Sequence, residues 1–146
     1  MQKKITKNLL EVAIQIAVKA HDGQVDKANK PYILHPLRVM FFLDTEKEKI
    51  VGVLHDVIED THITYQYLRD NGFDDEILEA IKSVTRDESE TYDEFIHRVK
   101  LNTIGVKVKL ADLHDNMDLT RIGNPVEKDY VRIRKYKRAK EKLLGK

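Results

Sequence analysis

The sequence predicts an all-α fold: a single helical domain of about seven or eight helices spanning 1–146. Three observations carry that expectation. Apolar residues recur at three- and four-residue spacing through nearly the whole chain, which is the repeat of a helix that buries one face. No segment sustains the alternation of a half-buried strand; Val106 to Leu110 alternates briefly and leads straight into a helical pattern. The periodic stretches are punctuated by helix-stop chemistry such as Asn71-Gly72 and Gly123-Asn124-Pro125.

Taken in order, Leu9, Val12, Ala13, Ile16, Ala17 and Ala20 line one face of a first helix that ends near His21-Asp22-Gly23. A polar connection runs from Gln24 to Lys30. Pro36 suits the first turn of a second helix over Leu37 to Leu43. Glu46 to Asp60 predicts one continuous third helix, apolar on most sides through Ile50, Val51, Val53, Leu54, Val57 and Ile58. Thr64 to Asp70 is a short helix stopped by Asn71-Gly72. Asp74-Asp75-Glu76 start the next, which carries Ile77, Leu78, Ala80, Ile81 and Val84. Thr91, with Glu94 three residues on, forms a capping box for a helix to Lys100. Thr103 to Ile122 is long and mixed, and a last helix runs from about Val126 to Leu144.

Composition bounds the function. A chain of 146 residues with 41% hydrophobic and 35% charged residues fits an ordinary globular domain with a sizeable core. No apolar run approaches a membrane span, and the basic start Met1-Gln2-Lys3-Lys4 is followed by no apolar signal core, so a cytoplasmic protein without a membrane partner is expected. Cysteine is absent, which excludes disulfides, thiolate catalysis and thiolate-held zinc. From Arg121 onward ten Lys/Arg face three Asp/Glu, whereas the preceding residues are net acidic. With no nucleic-acid motif beside it, this basic run reads as the solvated face of a terminal helix, and no nucleic acid is expected as a partner.

The chemistry concentrates in three stretches. Leu54-His55-Asp56-Val57-Ile58-Glu59-Asp60 sets a histidine and three acids in an apolar run. Tyr32-Ile33-Leu34-His35-Pro36 lies upstream and Lys109-Leu110-Ala111-Asp112-Leu113-His114-Asp115-Asn116 downstream. Together they supply His35, His55, Asp56 and Asp112, two imidazoles and two carboxylates suited to one divalent metal. Acids in apolar surroundings are costly unless paired or metal-bound. Glu59 and Asp60 stand one helical turn beyond His55 and Asp56, which separates proton handling from ligation. Asn116, one turn after Asp112, could orient a water or a phosphate oxygen. The remaining histidines, His21, His62, His97 and His114, lack matching geometry and are not expected to ligate.

These blocks, with Ala20-His21-Asp22-Gly23-Gln24 and Val84-Thr85-Arg86, make the chain resemble the HD superfamily of metal-dependent phosphohydrolases, and within it the hydrolase domain of the RelA/SpoT proteins and their small stand-alone relatives. The resemblance covers most of the chain. It implies an HD-type helical bundle, Mn²⁺ at His35, His55, Asp56 and Asp112, and Glu59 and Asp60 as the pair that positions and activates water. It implies a phosphorylated nucleotide as small-molecule partner, contacted by Lys27 and Asn116, and release of pyrophosphate from the 3′ position of guanosine 3′,5′-bis(diphosphate). Arg86 and Lys109 are expected to neutralise phosphate charge, because phosphoryl transfer rests on positioning and electrostatics. One departure stands out. The family's Gln-x-Arg-Lys loop reads Gln24-Val25-Asp26-Lys27, and an acid cannot stack on a purine as a guanidinium does. Two alternatives therefore stay open: the same site acting on another phosphoester, such as a deoxynucleoside monophosphate, and a nucleotide-binding module without turnover.

Overall fold

The computed structural model describes residues 8–146; the N-terminal stretch read above for a signal core lies outside them. Nine α-helical segments follow one another: α1 (Leu9–Ala20), α2 (Leu34–Phe41), α3 (Glu46–Leu54), α4 (Val57–Asp60), α5 (Tyr65–Asp70), α6 (Asp75–Ser83), α7 (Tyr92–Val99), α8 (Thr103–Asn116) and α9 (Glu127–Leu143). The described residues contain no strand, only an isolated bridge between Val25 and Pro31 across the loop that follows α1. No helix among them is long and apolar enough to cross a membrane.

Most helices begin where a side chain satisfies the free amides of the first turn. Asn8, Thr64, Asp74 and Asn102 each accept from backbone N–H groups of the helix they open. Thr45 with Glu48 and Thr91 with Glu94 form full capping boxes, the second as the sequence pattern predicts.

Helix α3 is the centre of the bundle. It packs against α1, α2, α6 and α8, and Ile50, Val51, Val53 and Leu54 are buried within it. Gly52 lets α2 approach: a Cβ there would lie 2.6 Å from Leu43 Cδ1 and 3.4 Å from Val39 Cγ1. Gly105 does the same for α8, since a Cβ would collide with the Ser83 hydroxyl at the end of α6. Helix α9 closes the bundle over α7 and α8.

The all-α expectation holds, with one helix more than the pattern suggested, because the third predicted helix is broken. The Gly52 carbonyl, which would ordinarily receive the Asp56 amide, accepts instead from His55 N at 3.5 Å and from His55 Nδ1 at 2.6 Å. The chain turns at His55-Asp56 and restarts as α4. Apolar periodicity cannot register such a break, because the burial pattern continues through Val57. One further boundary shifts. Helix α2 starts at Leu34, so that His35 lies inside its first turn. The long, mixed segment from Thr103 to Ile122 is helical to Asn116, after which Asp118 caps a 3-10 turn over Leu119–Arg121 through the Thr120 amide.

Candidate metal centre

His35 from α2, His55 and Asp56 from the α3–α4 break, and Asp112 from α8 converge on one point. Single ligand atoms of His35, His55 and Asp56 lie within 4.8 Å of one another. His35 Nε2 is 2.9 Å from Asp112 Oδ1 and 3.8 Å from Asp56 Oδ2. His55 Nε2 is 3.1 Å from Asp56 Oδ2 and 3.3 Å from Asp112 Oδ1. His35, His55 and Asp112 are buried, while Asp56 is partly open. The broken helix is what brings His55 and Asp56 to the same point, since on a continuous helix they would diverge by about 100°.

The tautomers are set from outside this cluster. A carbonyl only accepts, so the bond to Gly52 fixes the proton of His55 on Nδ1 and leaves Nε2 as the lone-pair atom. That Nε2 is buried without a hydrogen-bond partner. His35 Nδ1 is 2.6 Å from Asp115 Oδ2, and Asp115 is itself held by Arg38 at 2.7 and 3.1 Å and by Arg121 at 3.4 Å. Burial opposes ionisation of Asp115, but His35 and Arg38 overcome it and bring its pKa down to about 2. Asp115 therefore accepts, and His35 Nε2 also carries a lone pair toward carboxylate oxygens. Two imidazole lone pairs facing two carboxylates is an arrangement that needs either extra protons or a cation between them. Burial pushes both imidazoles down, yet Asp112 with Asp115 for His35, and Asp56 with Asp112 for His55, raise them overall. Against burial, His55 and His35 hold Asp56 below the ordinary carboxylate range, and Lys109 together with the two imidazoles does the same for Asp112. The donor set fits a divalent cation of borderline hardness.

Glu59 and Asp60 stand at the end of α4, more exposed, and Asp56, Glu59 and Asp60 form a second close group of carboxylates. Burial and the neighbouring acids raise both Glu59 and Asp60 above their ordinary values, a direction that suits groups that take up a proton.

The centre opens into a cavity of about 420 Å³, with Lys27, Tyr32, His35, Asn116 and Tyr136 in its lining. Asn116 Nδ2 donates to Asp112 Oδ1 at 3.0 Å, consistent with an orienting amide. Lys109 lies elsewhere: its ammonium donates to Asp112 Oδ2 at 2.8 Å on the far side of that carboxylate. Arg86 does not line the cavity. It donates to the Glu90 carbonyl at 3.1 Å and sits 5.9 Å from the centre of the Tyr92 ring.

Several residues here escape sequence reasoning. Tyr32 donates its hydroxyl to Asp56 Oδ2, and its own pKa is pushed well up by burial and by Asp56, so it stays a donor. His21, at the end of α1, is buried. It meets Gln24 Oε1 through Nδ1 at 2.8 Å and lies beside the Tyr32 ring. His114 turns away against Phe42, and His97 is exposed. Asp26 lines the cavity, but its Oδ1 accepts from Ala28 N and Lys30 N, both at 2.9 Å, and shapes the loop that carries Asn29 at φ 61°. The basic last helix is not wholly solvated, because Arg132 and Tyr136 line the cavity. Their four-residue spacing, which puts them on one face of the helix, was the available signal.

No family model matches the chain. Among known proteins it is 41% identical over 78 residues to a guanosine-3′,5′-bis(diphosphate) 3′-pyrophosphohydrolase of Borreliella burgdorferi, an alignment covering 51% of this chain and 12% of that protein. It is 32% identical over 123 residues to the bifunctional (p)ppGpp synthase/hydrolase SpoT of Escherichia coli, covering 74% of this chain and 17% of SpoT. The chain thus spans less than a fifth of the length of these relatives. A solved structure described as a metazoan ortholog of SpoT that hydrolyzes ppGpp superposes with a TM-score of 0.75 at 20% identity, over 97% of this chain and 88% of the other. By sequence and by fold, the chain is an HD-type relative of the RelA/SpoT hydrolases.

Proposed function

We propose that the protein is a divalent-metal phosphohydrolase whose substrate is a nucleotide carrying a pyrophosphate, foremost guanosine 3′,5′-bis(diphosphate), from which it releases pyrophosphate at the 3′ position and leaves GDP, or GTP when the substrate is pppGpp. One observation carries this reading: two imidazole lone pairs and two carboxylates converge at the mouth of a cavity, with two proton-accepting acids one turn away. His35, His55, Asp56 and Asp112 would hold the metal, Mn²⁺ in this reading. A divalent metal in such a site lowers the pKa of water and polarises a phosphoryl oxygen.

The chain's own groups account for the rest. Tyr32 and Asn116 fix the Asp56 and Asp112 carboxylates. Glu59, backed by Asp60, takes a proton from the attacking water as its oxygen adds to the 3′-linked phosphorus; the bond from that phosphorus to O3′ breaks, and O3′ departs with a proton. Lys27 and Asn116 face the nucleotide in the cavity. Lys109 and Arg86 supply positive charge on the other side of Asp112.

A second reading keeps the centre and changes the substrate to another phosphoester, such as a deoxynucleoside monophosphate. Asp26 favours it: the loop presents no planar cation to a purine, and its carboxylate is engaged by the loop's own amides. The test is release of pyrophosphate and phosphate by Mn²⁺-loaded protein across ppGpp, pppGpp, deoxynucleoside monophosphates and cyclic nucleotides, with Asp56→Ala as control. Pyrophosphate from ppGpp, abolished in Asp56→Ala, supports the first reading. Phosphate from another compound, with silence on ppGpp, replaces the substrate. Nucleotide binding without any product leaves a binding module.

A further inference from the structure

Beyond the cavity, on the α7–α9 side of Asp112, lies a group of cations gathered around one phenol ring. Lys135 Nζ from α9 sits 4.3 Å from the centre of the Tyr92 ring and 5.5 Å from that of Tyr136. The Arg86 guanidinium approaches the same Tyr92 ring at 5.9 Å. The Tyr92 hydroxyl is buried without a hydrogen-bond partner, and Lys135 makes no hydrogen bond or ion pair to any described residue. Lys109 joins this group to the metal centre through Asp112 Oδ2. Tyr136, which lines the nucleotide cavity, lies 6.5 Å from Tyr92 ring to ring, so the two regions adjoin.

Among the basic residues of α9, Arg132 pairs with Asp129, Arg134 with Glu127 and Lys142 with Asp93, while Lys128, Lys137, Arg138 and Lys140 are exposed to solvent. Lys135 is different. It is half-buried, and the charged groups acting on it are Arg86, Lys109, Arg132 and Lys27, all cations; burial and this crowding lower its pKa. A ring face offsets part of that repulsion, since the ring's negative face attracts a cation. It leaves the ammonium protons and the Tyr92 hydroxyl without acceptors. An anion with several oxygens satisfies both at once.

Resting on the hydrolase reading above, we propose that Arg86, Tyr92 and Lys135 form the subsite for the outgoing diphosphate, separate from the cavity that takes the nucleoside. Asp112 divides the two. Asn116 lies one turn after it, toward the cavity, and Lys109 nearly one turn before it, toward the cation cluster. Those two side chains start about 10 Å apart along the helix axis. A nucleotide whose reacting phosphorus lies at the metal centre would therefore extend its sugar to one side and its distal phosphate to the other. On this account, the enzyme discriminates a diphosphate from a single phosphate through α7 and α9 rather than through the metal ligands.

The test is binding of inorganic pyrophosphate to the Mn²⁺-loaded full chain, with free Mn²⁺ held constant, beside binding of GDP. Lys135→Met should weaken pyrophosphate about tenfold, the size expected for one lost charge-assisted contact, and Tyr92→Phe by a few-fold, with GDP unchanged in both. Lys135→Arg, which keeps the charge, should retain most of the affinity. Helical content and bound Mn²⁺ are measured on each variant, so that misfolding is recognised as such. Unchanged pyrophosphate affinity in folded, metal-loaded Lys135→Met overturns the proposal; so does an equal loss for GDP and pyrophosphate, which marks a diffuse field and not a subsite. Neither measurement needs turnover, so failure of the hydrolase reading would be seen separately, as absence of product from every nucleotide.

Discussion

At the scale of single residues, Asp115 stands out because one buried carboxylate connects the metal centre to the cavity wall. It accepts from His35 Nδ1 at 2.6 Å while Arg38 and Arg121 hold it in place. A carboxylate behind a ligating histidine fixes its tautomer, and removing such a group typically lowers metal affinity about 10- to 100-fold. Asp115→Asn keeps the size and an acceptor but removes the charge that orders Arg38 and Arg121. The expected outcome is weaker Mn²⁺ binding by about that factor, with turnover recovering when Mn²⁺ is raised to saturation; calorimetric titration of Mn²⁺ checks it. An unchanged affinity would mean that Asp115 serves only the arginines. The sequence pattern exposes His35, His55, Asp56 and Asp112 because their spacing within motifs is local. It hides Asp115 and Tyr32 because their partners lie 80 and 24 residues away in the chain. No periodicity encodes a contact between helices.

At the scale of elements, the connection from α6 to α7 decides where Arg86 stands. Arg98 of α7 donates to the carbonyls of Lys82 and Thr85 at 2.9 and 2.8 Å and to both oxygens of Glu90 at 2.7 and 2.8 Å. One guanidinium thus ties the end of α6 and the loop after it to α7. The bond from Arg98 is the main reason that the Glu90 pKa falls from 4.5 to about 2. Because the folded value lies below the unfolded one, the stability it contributes is full above about pH 4.5 and is lost as pH falls through about 2. Glu90→Gln should therefore unfold at lower denaturant than the parent at pH 7, and the gap should close progressively below pH 4.5. Paired denaturation curves at pH 7 and pH 3 measure this; a gap independent of pH would assign the loss to packing. The α6–α8 contact gives a second expectation at this scale. A Cβ at position 105 collides with the Ser83 hydroxyl, so Gly105→Ala should destabilise by about 1–3 kcal/mol, the usual range for overpacking, despite the better helix propensity of alanine. Helix class, caps and most boundaries were legible because caps and apolar spacing are local signals. The break at His55-Asp56 was not, because a side chain competing for the Gly52 carbonyl causes it while burial continues on both sides.

At the scale of the whole molecule, the metal centre is also the place where the bundle is least satisfied on its own. His35 joins from α2, His55 from the end of α3, Asp56 from the turn into α4 and Asp112 from α8, so the four groups bridge helices that meet at the core. Without a metal, Lys109 and Tyr32 answer one oxygen each of Asp112 and Asp56; the imidazoles and carboxylates otherwise balance one another through protons, and His55 Nε2 keeps no hydrogen bond. A ligand that binds the folded chain and not the unfolded one stabilises by RT ln(1 + [L]/Kd), about 2.7 kcal/mol at one hundred times Kd. For a chain of this length that corresponds to a rise in Tm of roughly 5–10 °C. Mn²⁺ should therefore raise Tm in a concentration-dependent way and a chelator should reverse it, measured by the thermal loss of helical circular dichroism. Asp56→Ala should abolish the response to Mn²⁺, whereas Lys135→Met, which alters the proposed diphosphate subsite and leaves the centre intact, should keep it. That pair separates metal binding from the proposed diphosphate subsite. If Asp56→Ala kept the full shift, the cation would be binding elsewhere, and the convergence of His35, His55, Asp56 and Asp112 would have to be read as an ion-pair network that holds four helices together.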